Sequence, residues 1–453
     1  MIVRTAEIKQ LEQLYAQSGN QLVVVYGRKG CGKEQLLQTF CQNKKCFYYR
    51  SRQASEKEQL LLMGQEIEQR YRVRLQKNTY DEYFTRVKSG DASKLLVVID
   101  EFQYIAKKDA SFLESILKLK KKRLYPGPVM IVLCSSSIVW MEEGAKEKLQ
   151  PIQRQTDRII KLKDVGFLDV VRNFPEYTTR QSVEVYGVLG GVFEYLLRWN
   201  GRQTLKENIC QNILSPDGFL FQEAENYIGI ELRELSLYET ILAAIADGNN
   251  KLNELYHYTG FSRAKISVYM KNLMAFEVIE KVVSFDTGGW ENAKKGVYRI
   301  CNTYVNFWFR FVYPHLSDLY LMTPQAFYEK YIQERLDEYL NRYFIQVCME
   351  YLKLLNMVGK LPIQIHRIGT WIGKQGDIDI IAQNSVRESI VGLCNWSKPQ
   401  LTLADCQKLE KNMEKARITA KYYYLFSAAG FESGLVEKAK SDGRYVLVDM
   451  TEL

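Results

Sequence analysis

The sequence predicts an α/β protein: a parallel sheet with flanking helices, then a helical module, then a small second α/β domain. Three stretches predict it: a β-branched run, Gln21–Tyr26, that ends in a glycine-rich turn and continues at helical spacing to Phe40; Lys94–Glu101, apolar and ending in two acids; and Val129–Cys134, apolar and ending in serines. Short buried-type strands alternating with helical patterns are the mark of a parallel sheet. At 453 residues the chain is too long for one core, and two or three domains are expected.

Composition narrows the function classes. Hydrophobic residues at 46% and charged residues at 25% exclude a mainly disordered chain. No apolar run approaches the ~18 residues a spanning helix needs, and Met1-Ile2-Val3-Arg4 opens no apolar signal core. The nine cysteines are scattered singly without a Cys-x-x-Cys pair, and only three histidines occur. That argues against a disulfide framework and a zinc site. A cytoplasmic protein without a membrane partner is expected. The net charge of +9 permits contact with nucleic acid without demanding it.

The first strand runs into Gly27-Arg28-Lys29-Gly30-Cys31-Gly32-Lys33-Glu34, then Gln35, Leu36 and Leu37 begin a helix. Strand, glycine-rich turn and helix form the context of a phosphate-binding loop. Glycines let backbone N–H groups converge on phosphate oxygens, and the helix N-terminus adds positive partial charge. Lys33 would bridge the terminal phosphates of ATP. The strand 94–101 supplies Asp100, expected to hold Mg²⁺ through water, and Glu101, expected to polarise the attacking water. Ser135 and Ser136 either sense the terminal phosphate or cap the next helix. One residue breaks the pattern: Glu34 stands where Ser or Thr usually ligates Mg²⁺. A carboxylate ~4 Å from a phosphate charge costs on the order of 4 kcal/mol at an effective dielectric of ~20. Nucleotide binding is expected; hydrolysis is expected to be slow or absent.

The middle of the chain predicts three helices and a hairpin. Apolar positions place helices over 231–246, 252–258 and 263–276, the last capped by Ser262. Strands near 278–285 and 296–300 flank a Gly288-Gly289 tip. This is the order of a winged helix-turn-helix. Arg263, Lys265 and Lys271 suit a recognition helix for duplex DNA, and Lys294, Lys295 and Arg299 would add wing contacts; the alternative is a solvated face on an interdomain module. The run Lys118–Arg123 is a second basic patch or a solvated helix end.

The order of motifs resembles the archaeal-type ATPase family of the AAA/STAND group of P-loop proteins. The resemblance rests on Arg4, Glu7 and Leu11 before YGRKGCGK, on LLVVIDEFQYI and LCSSS, on Leu189-Gly190-Gly191-Val192-Phe193-Glu194-Tyr195-Leu196, where Phe193 replaces the family proline, and on Tyr298-Arg299-Ile300 with Phe307–Phe311. It implies an AAA-like P-loop core over 1–165, a helical lid or linker over 166–230, the winged helix over 231–325, and a PD-(D/E)XK nuclease-like domain over 326–453. It also implies ATP, Mg²⁺, a protein partner and oligomers. The family's Pro-Leu-Tyr-Gly-Arg box reads Pro151-Ile152-Gln153-Arg154-Gln155, so its arginine falls on Gln155, with Arg154 and Arg158 alongside. In the nuclease-like domain Asp379 matches the metal-binding Asp. Leu393 and Asn395 replace the family Glu and Lys around Cys394 and Trp396, and Phe344-Ile345 loses another acid, with Glu350 beyond it. The resemblance therefore implies a domain without nuclease activity.

Overall fold

The computed structural model describes all residues except 1–3, 88–90, 92, 122–126, 145–148, 230–231, 233, 286–295 and 375. The chain divides into two compact units: 1–164 with Val192–Glu194, and Val165–Gly191 with Tyr195–Leu453.

The first unit is built on a parallel sheet. Its strands are β1 (Gln21–Tyr26), β2 (Cys46–Arg50), β3 (Leu95–Asp100), β4 (Val129–Ser135) and β5 (Arg158–Lys161), in the order β2-β3-β4-β1-β5. All four pairings are parallel. Every residue of β3 and β4 is buried, as expected of strands covered on both faces. Alternation divides the core: Leu22, Val24, Val97 and Ile99 face one helical layer, and Val23, Val25, Leu96 and Val98 the other. The helix Lys33–Cys41 seats Leu36, Leu37 and Phe40 in the second of these cores. Lys118, in the helix Ala110–Lys121, pairs with Asp81 at 2.6 Å, and Lys120 pairs with Asp157. Two of the cations at the start of the basic run are thus paired at a helix end; Lys122 and Arg123 lie outside the described residues.

The second unit is helical at first and ends in a mixed sheet. Helices Leu235–Ala246, Leu252–Thr259 and Arg263–Ala275 precede an antiparallel pair, β6 (Ile279–Val283) and β7 (Gly296–Ile300). The tip Gly288-Gly289 and the cations Lys294 and Lys295 lie outside the described residues. Helix Leu336–Met357 leads into β8 (Arg367–Trp371), β9 (Ile378–Gln383), β10 (Ser389–Asn395), β11 (Ala420–Ser427) and β12 (Tyr445–Asp449). They run β12-β11-β10-β9-β8, antiparallel from β8 to β10 and parallel from β10 to β12. No helix among the described residues is long and apolar enough to cross a membrane.

Candidate nucleotide site and the C-terminal cavity

The loop between β1 and the helix Lys33–Cys41 lies at the carboxyl edge of the parallel sheet, where open α/β sheets place their ligands. Gly30 at φ +81° and Gly32 at φ +89° take the left-handed backbone that the turn requires. A Cβ on Gly27 would lie 2.4 Å from the Leu162 carbonyl oxygen, so this position is closed to side chains. Arg4, almost fully buried, donates to the carbonyl of Cys31 and, at 2.5 Å, to that of Lys163. Arg28 pairs with Asp164. Two arginines thus tie the loop to the segment after β5.

Lys33 is 7% exposed, and its Nζ donates to the carbonyls of Gly27 at 2.7 Å and Arg28 at 2.6 Å. A phosphate entering the loop would have to take these donors over. Cys31 is buried, and desolvation pushes its thiol up, so it is a packing residue rather than a nucleophile. Gln35 is half-exposed and Lys29 and Glu34 are exposed, all lying along the loop and the first helical turn. The segment Val192–Glu194 returns to the loop: the Glu194 N–H donates to the Gly30 carbonyl at 3.0 Å, and the Phe193 ring covers Gly32.

Asp100 ends β3. The parallel register sets Arg50 of β2 beside Asp100, with Tyr48 two residues back along β2. The Tyr48 hydroxyl donates to Asp100 Oδ2 at 2.8 Å, and the Glu101 N–H donates to Oδ1 at 3.0 Å. Burial pushes the Asp100 carboxyl up, opposed by the Tyr48 bond and the Arg50 charge. Arg50 also reaches Glu34, at 3.5 Å. Glu101 follows in a left-handed conformation at φ +54°, a strained backbone of the kind found at functional turns. Its Oε2 accepts from the Ser136 hydroxyl at 2.6 Å, the Ser136 N–H at 3.2 Å and the Gln103 amide at 2.5 Å. Ser136 is thereby committed to Glu101. Ser135 is buried and accepts from the Ser137 N–H.

The sequence brought the loop, Asp100, Glu101 and Ser136 to one edge, and the structure places them there. Arg50 and Tyr48 were missed. Their signal is the alternation in Cys46-Phe47-Tyr48-Tyr49-Arg50, which puts a phenol and a guanidinium on one side of a strand end.

The other candidate residues lie in the second unit. Arg263, Lys265 and Lys271 are all exposed on the helix Arg263–Ala275, whose N-cap Ser262 accepts from the Lys265 N–H. Exposed Tyr256 and Tyr258 stand on the preceding helix, and Arg263 lies over the Tyr256 ring at 5.1 Å. Arg299 is half-buried.

Asp379 of β9 lines a cavity of about 320 Å³ with Glu338, Asp377, Cys394, Asn395, Lys398 and Asp405 among its walls. Asn395, at the position of the family lysine, is buried and bonded to Ser427 and to both backbone groups of Lys398. Glu350 is not among the residues that line this cavity; it accepts from the Phe167 N–H at 2.9 Å and the Tyr186 hydroxyl at 3.1 Å. Among the described residues no cluster of three or more His, Cys, Asp or Glu side chains is set to hold a metal.

Desolvation raises the Asp379 carboxyl from 3.8 to about 6, opposed by the Cys394 N–H that donates to it. The folded state therefore holds this proton more tightly than the unfolded chain. Its stabilising contribution is complete below about 3.8 and is lost as pH rises through about 6. Asp379→Asn is expected to raise stability at neutral pH by on the order of 2 kcal/mol and to flatten the pH dependence in that window. Urea melts of both proteins across the window check it; an unchanged slope would contradict the assignment.

Residues 2–199 match the profile of a family described as an ATPase domain predominantly from Archaea, and residues 308–413 that of archaeal and bacterial proteins of unknown function. An uncharacterized protein of Methanocaldococcus jannaschii is 27% identical over 381 residues, 84% of each chain. Among solved structures, the Walker-type ATPase of Pyrococcus abyssi is 17% identical with a TM-score of 0.47, covering 68% of this chain and 96% of its own. The ORC2 protein of Aeropyrum pernix, solved with ADPNP and ADP, is 13% identical with a TM-score of 0.44, covering 72% and 95%. The N-terminal part of this chain is thus an ATPase-type domain of the archaeal kind.

Proposed function

We propose that the chain is an ATP-binding regulatory protein with weak or no hydrolysis, whose nucleotide state governs a winged-helix module and an inert nuclease-like domain. The observation that carries the reading is the loop itself. Gly30 and Gly32 turn its backbone, Gly27 leaves no room for a side chain, Lys33 is the buried cation within it, and a helix begins at Lys33. Arg28, Lys29, Cys31, Glu34 and Gln35 complete the proposed contact stretch.

Three features argue for slow chemistry. Glu34 replaces the usual hydroxyl. Glu101, the proposed water-polarising residue, has its Oε2 held by Ser136 and Gln103. Gln155 stands where the family resemblance puts an arginine, whose loss in related systems lowers the rate by ~10³ or more. Calorimetric titration of the full chain with ATP tests the reading: saturable binding at one site per chain supports it, and absence of binding rejects it.

The C-terminal cavity keeps Asp379 but carries Leu393 and Asn395 where the family resemblance puts the catalytic Glu and Lys, so that pair is absent. Cleavage of DNA or RNA with Mg²⁺ or Mn²⁺, abolished by Asp379→Ala, would overturn its inertness.

A second reading is a DNA-binding regulator with a vestigial nucleotide site. The exposed Arg263, Lys265 and Lys271 with Tyr256 and Tyr258 favour it, since cations interleaved with aromatics suit a phosphate backbone. Duplex binding that weakens steeply with salt, is abolished by Arg263→Glu with Lys265→Glu, and is indifferent to Lys33→Ala would select it.

A further inference from the structure

Around the expected metal position the side chains form a charge arrangement of their own. Arg50 Nη1 stands 3.5 Å from Glu34 Oε2, and Arg50 Nε stands 3.8 Å from Asp100 Oδ2. One guanidinium thus lies between the carboxylate at the first helical turn and the carboxylate at the strand end. Both Asp100 oxygens already accept a hydrogen bond, from the Tyr48 hydroxyl and the Glu101 N–H. Magnesium in a phosphate-binding loop is ordinarily held by a hydroxyl directly after the lysine and by a strand-end acid, within a near-octahedral shell of oxygens. Here the hydroxyl is absent, each oxygen of the acid already accepts one hydrogen bond, and a cation stands between the two positions. The residues present do not fit that metal.

We propose that this chain binds its nucleotide without magnesium, with Arg50 as the resident cation between Glu34 and Asp100. This rests on the ATP-binding reading above. A guanidinium carries five N–H donors in a planar fork, so Arg50 can keep its carboxylate partners and still present donors to phosphate oxygens. It also answers the puzzle of Glu34, whose charge beside a polyphosphate needs a neighbouring cation to offset it. The β2–β3 register, which sets Arg50 against Asp100, fixes that cation in place. Arg50 is 56% exposed and supports no core, so its ion pairs contribute little to folding and its removal should leave the fold intact.

The test is titration of ATP into the full chain in excess Mg²⁺ and, separately, in EDTA. The wild type is expected to differ by less than tenfold in affinity between the two. Arg50→Ala and the neutral polar Arg50→Gln are each expected to lose tenfold or more in EDTA. Glu34→Thr combined with Arg50→Ala restores the ordinary arrangement and is expected to bind tenfold or more tightly with Mg²⁺ than without. A wild type that binds tenfold or more tightly with Mg²⁺ would overturn the proposal, as would Arg50 variants that keep their affinity in EDTA. Binding in neither buffer would instead reject the nucleotide reading on which the proposal stands.

Discussion

Lys33→Ala is expected to weaken ATP binding about 100-fold, the equivalent of one or two charge-assisted hydrogen bonds at ~1.5–3 kcal/mol each. Lys33 is the cation buried within the loop, and its ammonium lies 2.6–2.7 Å from two loop carbonyls. Those bonds hold the ammonium over the turn, oriented before any ligand arrives, so little side-chain entropy is lost when phosphate oxygens replace the carbonyls. The same substitution leaves the carbonyls of Gly27 and Arg28 without this donor, at about 1 kcal/mol of stability. Calorimetry reads the first effect and urea melts the second. A variant that binds ATP as tightly as wild type would remove Lys33 from the site.

Gly32→Ala is expected to abolish detectable ATP binding and to destabilise the chain by on the order of 2 kcal/mol. Two independent costs act at this position. The backbone lies at φ +89°, where a Cβ is strained, and that Cβ would stand 2.9 Å from a Phe193 ring carbon. Shifting either group moves the N–H groups that open the helix, which are the proposed phosphate donors. The two costs separate in a double substitution. Phe193→Ala on the Gly32→Ala background is expected to recover part of the stability and none of the binding, because the backbone strain persists. Full recovery of binding would mean that the ring clash alone was responsible.

How much was legible in the sequence follows from how local each feature is. The phosphate loop could be read because strand, turn and helix occupy one contiguous stretch, and Gly30 and Gly32 occur where positive φ is required. Asp100 and Glu101 could be read because an apolar strand ending in acids is itself a local pattern. The order of three helices and two strands between Leu235 and Ile300 was legible from apolar spacing for the same reason. Arg50 was not legible: its meaning depends on β2 pairing with β3 in one register, a long-range choice that no local period fixes. Nor was the return of Val192–Glu194 to Gly30 and Gly32, which joins residues more than 150 positions apart. Nor was the role of Glu350 legible: its two oxygens hold the Phe167 N–H and the Tyr186 hydroxyl, residues more than 150 positions away in the chain.

The most direct measurement is an experimental structure of the full chain with ATP. The account predicts the triphosphate lying along the amides of Gly30 to Lys33, with the Lys33 ammonium moved from the carbonyls of Gly27 and Arg28 onto phosphate oxygens. A loop that keeps both carbonyl bonds while the nucleotide is absent, or seated elsewhere, would contradict it.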